Sequence, residues 1–210
     1  MNLAELEKEV IRLEDIQAIE DLQQKYGYYM DSHRRDQVAD CFSDRTESIE
    51  IESTGFFKGK AGVKKFFLDN DLLEKGQTEV PGWINILILM SMDVITIDPS
   101  GSTAKGRWNT WLAEAMTVGG IPRQQWVQGY YENEYIKENG VWRFKKLHWN
   151  VTFFTSFETG WLRVPLLGRL DRKDADAPAP NFHPYPSGFQ VPFSFSHPVT
   201  GRKKVTSTKN

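Results

Sequence analysis

Residues Ile121–Phe154 read IPRQQWVQGYYENEYIKENGVWRFKKLHWNVTFF. Two long apolar/polar runs flank Glu138-Asn139-Gly140, and Asn-Gly between such runs signals a tight β-hairpin. The arms are rich in Trp, Tyr, Phe and Val, residues that suit a half-buried pleated surface. This hairpin is therefore read as the centre of a curved sheet.

The rest of the chain extends that sheet or packs against it. Upstream, Leu3, Leu6, Val10, Leu13, Ile16, Ile19, Leu22, Tyr26 and Tyr29 recur every three or four residues, one face of a helix over 3 to 30. A break at Asp31-Ser32-His33 precedes a short second helix reaching about Phe42. Residues 47 to 53 alternate as a strand, 55 to 59 read as a turn, and 60 to 73 as a third helix. Residues 74 to 83 read as a loop. Ile84–Ile97 is nearly all apolar, which predicts a strand buried on both faces. Thr103–Val118 returns antiparallel to it, and the hairpin completes a four-stranded meander. Helices followed by antiparallel strands predict an α+β fold with helices on one face of a bent sheet.

The composition changes near Thr159. Seven of the ten prolines lie at 165, 178, 180, 184, 186, 192 and 198. Such a segment neither pairs as a central strand nor continues as helix. Its Trp161, Phe182, Tyr185, Phe189, Phe193 and Phe195 make it too apolar for simple disorder. The expected organisation is a domain over 1–158 and an extended tail over 159–210 that wraps the domain or a neighbouring subunit.

The net charge of -2 disfavours nucleic acid as the main partner. One cysteine, Cys41, excludes a disulfide framework. No apolar run is long enough for a membrane span, and the charged N-terminus is unlike a signal peptide, so a cytoplasmic protein is expected. The chain has no dinucleotide fingerprint or P-loop, and His33, His148, His183 and His197 lack ligand spacing. Neither cofactor nor metal is expected. With 13% aromatic residues, seven of them Trp, a pocket for flat ligands competes with a plain aromatic core as the reading.

Four segments occur in the order of one known family. YGYYMDSHRRDQVADCFSD, GFFKGKAGVKKFF, DVITIDPSGSTAKGRW and GYYENEYIKENGVWRFKKLHW resemble the Tyr-rich helix with its acidic turn, the third helix, a strand turn and the final hairpin of the SnoaL-like branch of the nuclear transport factor 2-like superfamily. The resemblance covers about residues 5 to 155, leaving the tail outside. It implies a cone-shaped roll in which a curved, mainly antiparallel sheet wraps three N-terminal helices around a deep apolar pocket. It also implies a homodimer or homotrimer, and a small-molecule ligand. Members include cofactor-free dehydratases, cyclases and a ketosteroid isomerase, while others only bind, so fold alone does not settle function.

Acid–base chemistry needs a donor and an acceptor with shifted pKa in a dry pocket. Asp31 stands where dehydratase-like members carry an acidic residue, and Tyr26 and Tyr29 share the helix face leading to it. If Ala104 and Gly106 face the helices, alternation turns Trp108, Thr110, Leu112 and Glu114 the same way. An inward Glu114 would be a desolvated carboxyl suited to a general acid. Tyr131 shares a face with Gly129, where a glycine leaves room for a ligand. On the last strand Phe144, Lys146, His148 and Asn150 share a face unless a bulge intervenes; slipped by one, Leu147 and Trp149 point inward instead. His148 is the first choice for acid or base in the former register. The family's histidine on the strand at 84–97 has no counterpart here.

The catalytic candidates are thus His148, Asp31, Tyr29, Glu114 and Tyr131, and the substrate-binding candidates Trp108, Phe144, Lys146, Asn150 and Tyr26. The expected activity is a cofactor-free lyase removing water or formaldehyde from a phenolic alcohol or diol through a quinone methide, giving an alkene or stilbene. Scytalone dehydratase-like members perform related eliminations, and the aromatic-rich chain with its tail also resembles the lignin-derived diarylpropane lyases of this superfamily. The alternatives are a polyketide cyclase or ketosteroid-type isomerase, and a non-catalytic ligand-binding or oligomerisation module.

Overall fold

A computed structural model describes residues 2–69, 85–118, 121–165, 172–179, 182–183, 185–189 and 191–202. The end of the expected third helix and the 74–83 loop lie outside them.

Helix α1 (Leu3–Asp31) starts in a capping box, in which Asn2 and Glu5 satisfy each other's backbone N–H groups. The helix ends where His33 takes a left-handed φ of 55°. Its apolar stripe is buried only in the second half. Ile19 and Tyr26 are in the core, whereas Leu3, Leu6, Val10 and Leu13 are exposed. The anchor at mid-helix is ionic: Asp15 accepts from Lys137 Nζ at 2.6 Å and from Trp142 Nε1 at 2.8 Å. Helix α2 (Arg35–Asp40) buries Val38 and Ala39.

Strand β1 (Ser48–Ile51) is followed by β2 (Gly55–Lys58), a short strand where a turn was expected. The reversal itself falls one step earlier, at 52–54, so Phe56 and Phe57 pair back onto Glu50 and Ile49. Helix α3 (Gly59–Val63) runs into a π-helical turn, Lys64–Leu68.

The long strands β3 (Asn85–Ile97), β4 (Thr103–Val118), β5 (Ile121–Glu138) and β6 (Val141–Ser156) form the meander. The six strands run in the order β2-β1-β6-β5-β4-β3, all neighbours antiparallel except β1 and β6. The hairpin turn carries positive φ at both Asn139 (51°) and Gly140 (80°), the type I′ geometry that an Asn-Gly pair adopts at least cost. One expectation fails at β3. It is an edge strand, with Leu87, Leu89 and Met92 exposed, so its apolar run does not mark burial on both faces. Among the described residues, no helix is long and apolar enough to cross a membrane.

The core lies between α1, α2, the π turn and the concave face of the sheet. Tyr26 stands edge-on to Phe42, Phe67, Tyr131 and Phe144, arrangements that stabilise beyond area alone. Below them Tyr135 donates to Gln23 Oε1 at 2.7 Å and accepts from Trp108 Nε1 at 2.9 Å, so these buried polar groups are satisfied.

The tail segments lie along the sheet. Arg172 N–H bonds Thr54 O, and Ala177 pairs with Phe56. Further on, Tyr185 N–H reaches Thr152 O on β6, Val191 N–H reaches the Tyr130 hydroxyl on β5, and Arg107 of β4 donates to Val191 O.

Candidate active site

Two bulges set which side chains face the helices. On β6 Lys145 is an extra residue, since Phe144 opposes Tyr135 while Lys146 opposes Glu134. Beyond it Leu147 and Trp149 point inward, and Lys146, His148 and Asn150 point outward. A second extra residue, Thr152, lets Phe154 point inward again. The inner face is therefore the slipped one.

His148 and Asn150 of the outward trio are buried, and Lys146 is half-buried. Lys146 Nζ is 2.7 Å from Glu50 Oε1, and His148 Nδ1 is 3.8 Å from Glu50 Oε2. His148 is only 7% exposed, and burial lowers its pKa. Lys146 and Glu50 thus form an ion pair with His148 alongside, on the face opposite the concave cavity.

On that concave side a cavity of about 310 Å³ opens between α1, α2, the π turn and the sheet. Its walls are mostly apolar: Ile86, Ile88, Leu112, Val127 and Phe154 from the strands, Met30 and Phe66 from the helical side. Trp149 forms one wall. Its indole crosses over Gly129 and donates to Thr110 Oγ1 at 3.1 Å. The space left by the missing side chain of Gly129 is thus filled by Trp149, not by a ligand; a Cβ there would sit 2.9 Å from the indole.

Four of the sequence candidates cluster here. Tyr26, Tyr131 and Glu114 line the cavity. Asp31, at the end of α1, accepts the Ile88 N–H at 3.0 Å. Glu114 projects from β4 with Gln125 Nε2 at 3.5 Å, and burial pushes its pKa to about 7. Burial also raises Asp31, partly countered by the Ile88 N–H and His33. Tyr131 hydrogen-bonds Tyr26, and the Asp31 and Glu114 carboxyls both act electrostatically on its hydroxyl. Burial is the main reason that its pKa lies at about 12.

Tyr29 is partly buried against the core and does not line the cavity. Trp108 and Phe144 belong to the packed core beneath it.

Two residues that the sequence reading did not select complete the rim. Arg35 from α2 and Arg172 from the tail both line the cavity. Arg172 donates to the Phe66 and Lys65 carbonyls and lies over the Phe57 and Phe66 rings. Arg35 donates to Phe67 O at 3.4 Å, and its pKa is lowered by burial and by the facing Arg172. No carboxylate pairs with Arg35 among the described residues. Neither arginine had a sequence signal, because one sits on a six-residue helix and the other in the proline-rich tail.

Among the described residues there is no group of three His, Cys, Asp or Glu side chains able to hold a metal ion.

No curated protein sequence matches the chain. Solved structures do. A protein from Novosphingobium aromaticivorans, proposed to be a scytalone dehydratase, superposes with a TM-score of 0.57 at 19% identity, covering 76% of this chain and 97% of its own. The hexachlorocyclohexane dehydrochlorinase LinA-type3 from Novosphingobium barchaimii gives 0.58 at 20% identity, covering 72% and 96%. LinA gives 0.59 at 18%, covering 72% and 95%. At these identities the likeness establishes the fold. By sequence, the profile of the SnoaL-like domain matches residues 11–148, about two thirds of the chain. The chain therefore belongs to the SnoaL-like family.

Proposed function

We propose that the protein is a cofactor-free lyase that eliminates water, or water and formaldehyde, from a phenolic benzylic alcohol or diol. The observation that supports this reading is a mostly apolar cavity lined by Glu114, Tyr131 and Tyr26, with Asp31 close enough to act on the Tyr131 hydroxyl and two arginines at the rim. The similar structures include a protein proposed to be a dehydratase and dehydrochlorinases, which by name perform eliminations.

The roles follow from protonation state. With a pKa of about 7, Glu114 is protonated in about half of the molecules at pH 7, and in that form acts as the acid. It protonates the benzylic hydroxyl, the C–O bond breaks, and water leaves. The phenol on the same ring releases its proton to solvent water, and its electrons form the quinone methide. Arg35, a partly desolvated guanidinium without a carboxylate, holds the phenolate oxygen. In the dehydration branch Asp31 removes the proton from the adjacent carbon, and the ring regains aromaticity as the alkene forms. In the formaldehyde branch Asp31 removes the proton of a terminal hydroxymethyl group. The carbon–carbon bond then breaks, formaldehyde leaves, and the same electrons form the alkene. Tyr26 and Tyr131 orient the hydroxyl between the two carboxyls. Trp149 and Phe154 supply flat walls for aryl rings.

The test is an ultraviolet assay with phenolic diarylpropanediols, simple benzylic alcohols and steroid ketones, with formaldehyde trapped separately. Conjugated alkene from the phenolic substrates, and none from their methyl ethers, is expected. Turnover of the ketones alone would replace this reading with an isomerase.

A further inference from the structure

The opposite face of the sheet holds a second cavity, of about 360 Å³, roofed by the tail. Its floor is Glu52, Arg107, Gln128 and Tyr130, and its roof includes His183, Tyr185 and Phe189. Its volume falls within the range of small-molecule sites.

Most polar groups of its lining are already engaged. Arg107 is bonded to Glu132 and Val191 O and stacked on Tyr130 at 4.2 Å. The Tyr130 hydroxyl accepts the Val191 N–H, and Gln128 Nε2 donates to Asn109 Oδ1 at 2.9 Å. Glu52 is different. It is 2% exposed, and its Oε2 accepts the Val151 N–H at 3.1 Å. Its Oε1 is buried with no hydrogen-bond partner among the described residues. A buried carboxyl with one idle oxygen is destabilising unless something occupies it.

We infer that this cavity is a second ligand site, separate from the concave one, which takes a small aromatic molecule bearing an oxygen acceptor, such as an aryl ketone or aldehyde, with Glu52 Oε1 donating its proton to that oxygen. The donor role follows from the environment. Burial raises the Glu52 pKa to about 8, so near neutrality the side chain is a carboxylic acid. Because Oε2 already accepts from the backbone, the proton resides on Oε1. The rings of Tyr130, Tyr185 and Phe189 supply the apolar walls. This inference does not depend on the activity proposed for the concave cavity.

The experiment is calorimetric titration of the full chain with 4-methoxyacetophenone at pH 7. In Leu112→Trp, which fills the concave cavity, one binding event should remain. Adding Glu52→Met should weaken that event about tenfold or more, while Glu52→Gln, whose amide still donates, should keep it within about threefold. Loss of all binding in Leu112→Trp, or unchanged binding after Glu52→Met, would overturn the inference. Should Glu52→Met fail to fold, Thr152→Trp fills the second cavity from its rim, and unchanged binding in that variant is equally contradictory.

Discussion

Asp31 Oδ1 accepts the backbone N–H of Ile88 at 3.0 Å, tying the C-terminal end of α1 to the edge strand at the cavity rim. The bond fixes one carboxylate oxygen and leaves the other for a proton. Asp31→Asn keeps an acceptor for Ile88 and loses the base. It should therefore melt within about 1 kcal/mol of the parent while kcat drops on the order of 100-fold. Asp31→Ala should lose both. Equal kcat in Asp31→Asn and the parent would remove Asp31 from the chemistry.

In the proposed reaction Glu114 should set the upper pH limit. A general acid with a pKa of about 7 is progressively lost above that pH, so kcat should fall tenfold per unit on the alkaline side. The same shift has a sign for stability. The folded-state pKa lies above the ordinary carboxyl value of 4.5, so the folded chain binds the extra proton between 4.5 and 7. Its contribution is complete below 4.5 and lost as pH rises through 7. Glu52, at about 8, acts in the same direction over a wider window. Denaturant unfolding from pH 4.5 to 8.5 should show declining stability in the parent. A flatter profile is expected in the double variant Glu52→Gln/Glu114→Gln.

Gly129 is required by the Trp149 wall. A methyl group there would meet Asn150 O at 2.2 Å and the indole at 2.9 Å. Gly129→Ala should destabilise by about 2–3 kcal/mol in urea unfolding. Fluorescence should also report a displaced tryptophan. Thr110→Val, which removes the indole's acceptor and the hydroxyl's own bond to Gly129 O, should cost about 1–3 kcal/mol.

The tail contributes Arg172 to the cavity rim. Arg172→Ala removes its bonds to the Lys65 and Phe66 carbonyls and its contact with two rings. KM should rise several-fold for phenolic substrates. A larger change is expected on truncation after Thr159. A truncated chain with parental KM would confine the tail to a structural role.

The fold was legible in the sequence because its cues are local. Asn139-Gly140 set the turn, and alternation from Ala104 to Glu114 set the inner face of β4. The inner face of β6 was not legible. It depends on extra residues at Lys145 and Thr152, which look like ordinary members of a strand and reveal themselves only through pairing with β5. The long apolar run of β3 misled for a related reason. Periodicity reports side-chain polarity, not whether a neighbouring strand lies beyond. Glu114 and Tyr131 could be placed because no bulge separates them from the hairpin cues. Arg35 and Arg172 could not, since tertiary packing alone brings α2 and the tail to one rim.

The central claim is that chemistry belongs to the concave cavity and not to the outward histidine. Single-turnover measurement on a phenolic diarylpropanediol, with Glu114→Gln and His148→Gln side by side, tests it most directly. The account predicts a loss in rate of about 100-fold or more for Glu114→Gln. It also predicts a rate within about threefold of the parent for His148→Gln, whose ring is engaged with Glu50 on the other face. An unimpaired Glu114→Gln beside an inactive, folded His148→Gln would contradict it.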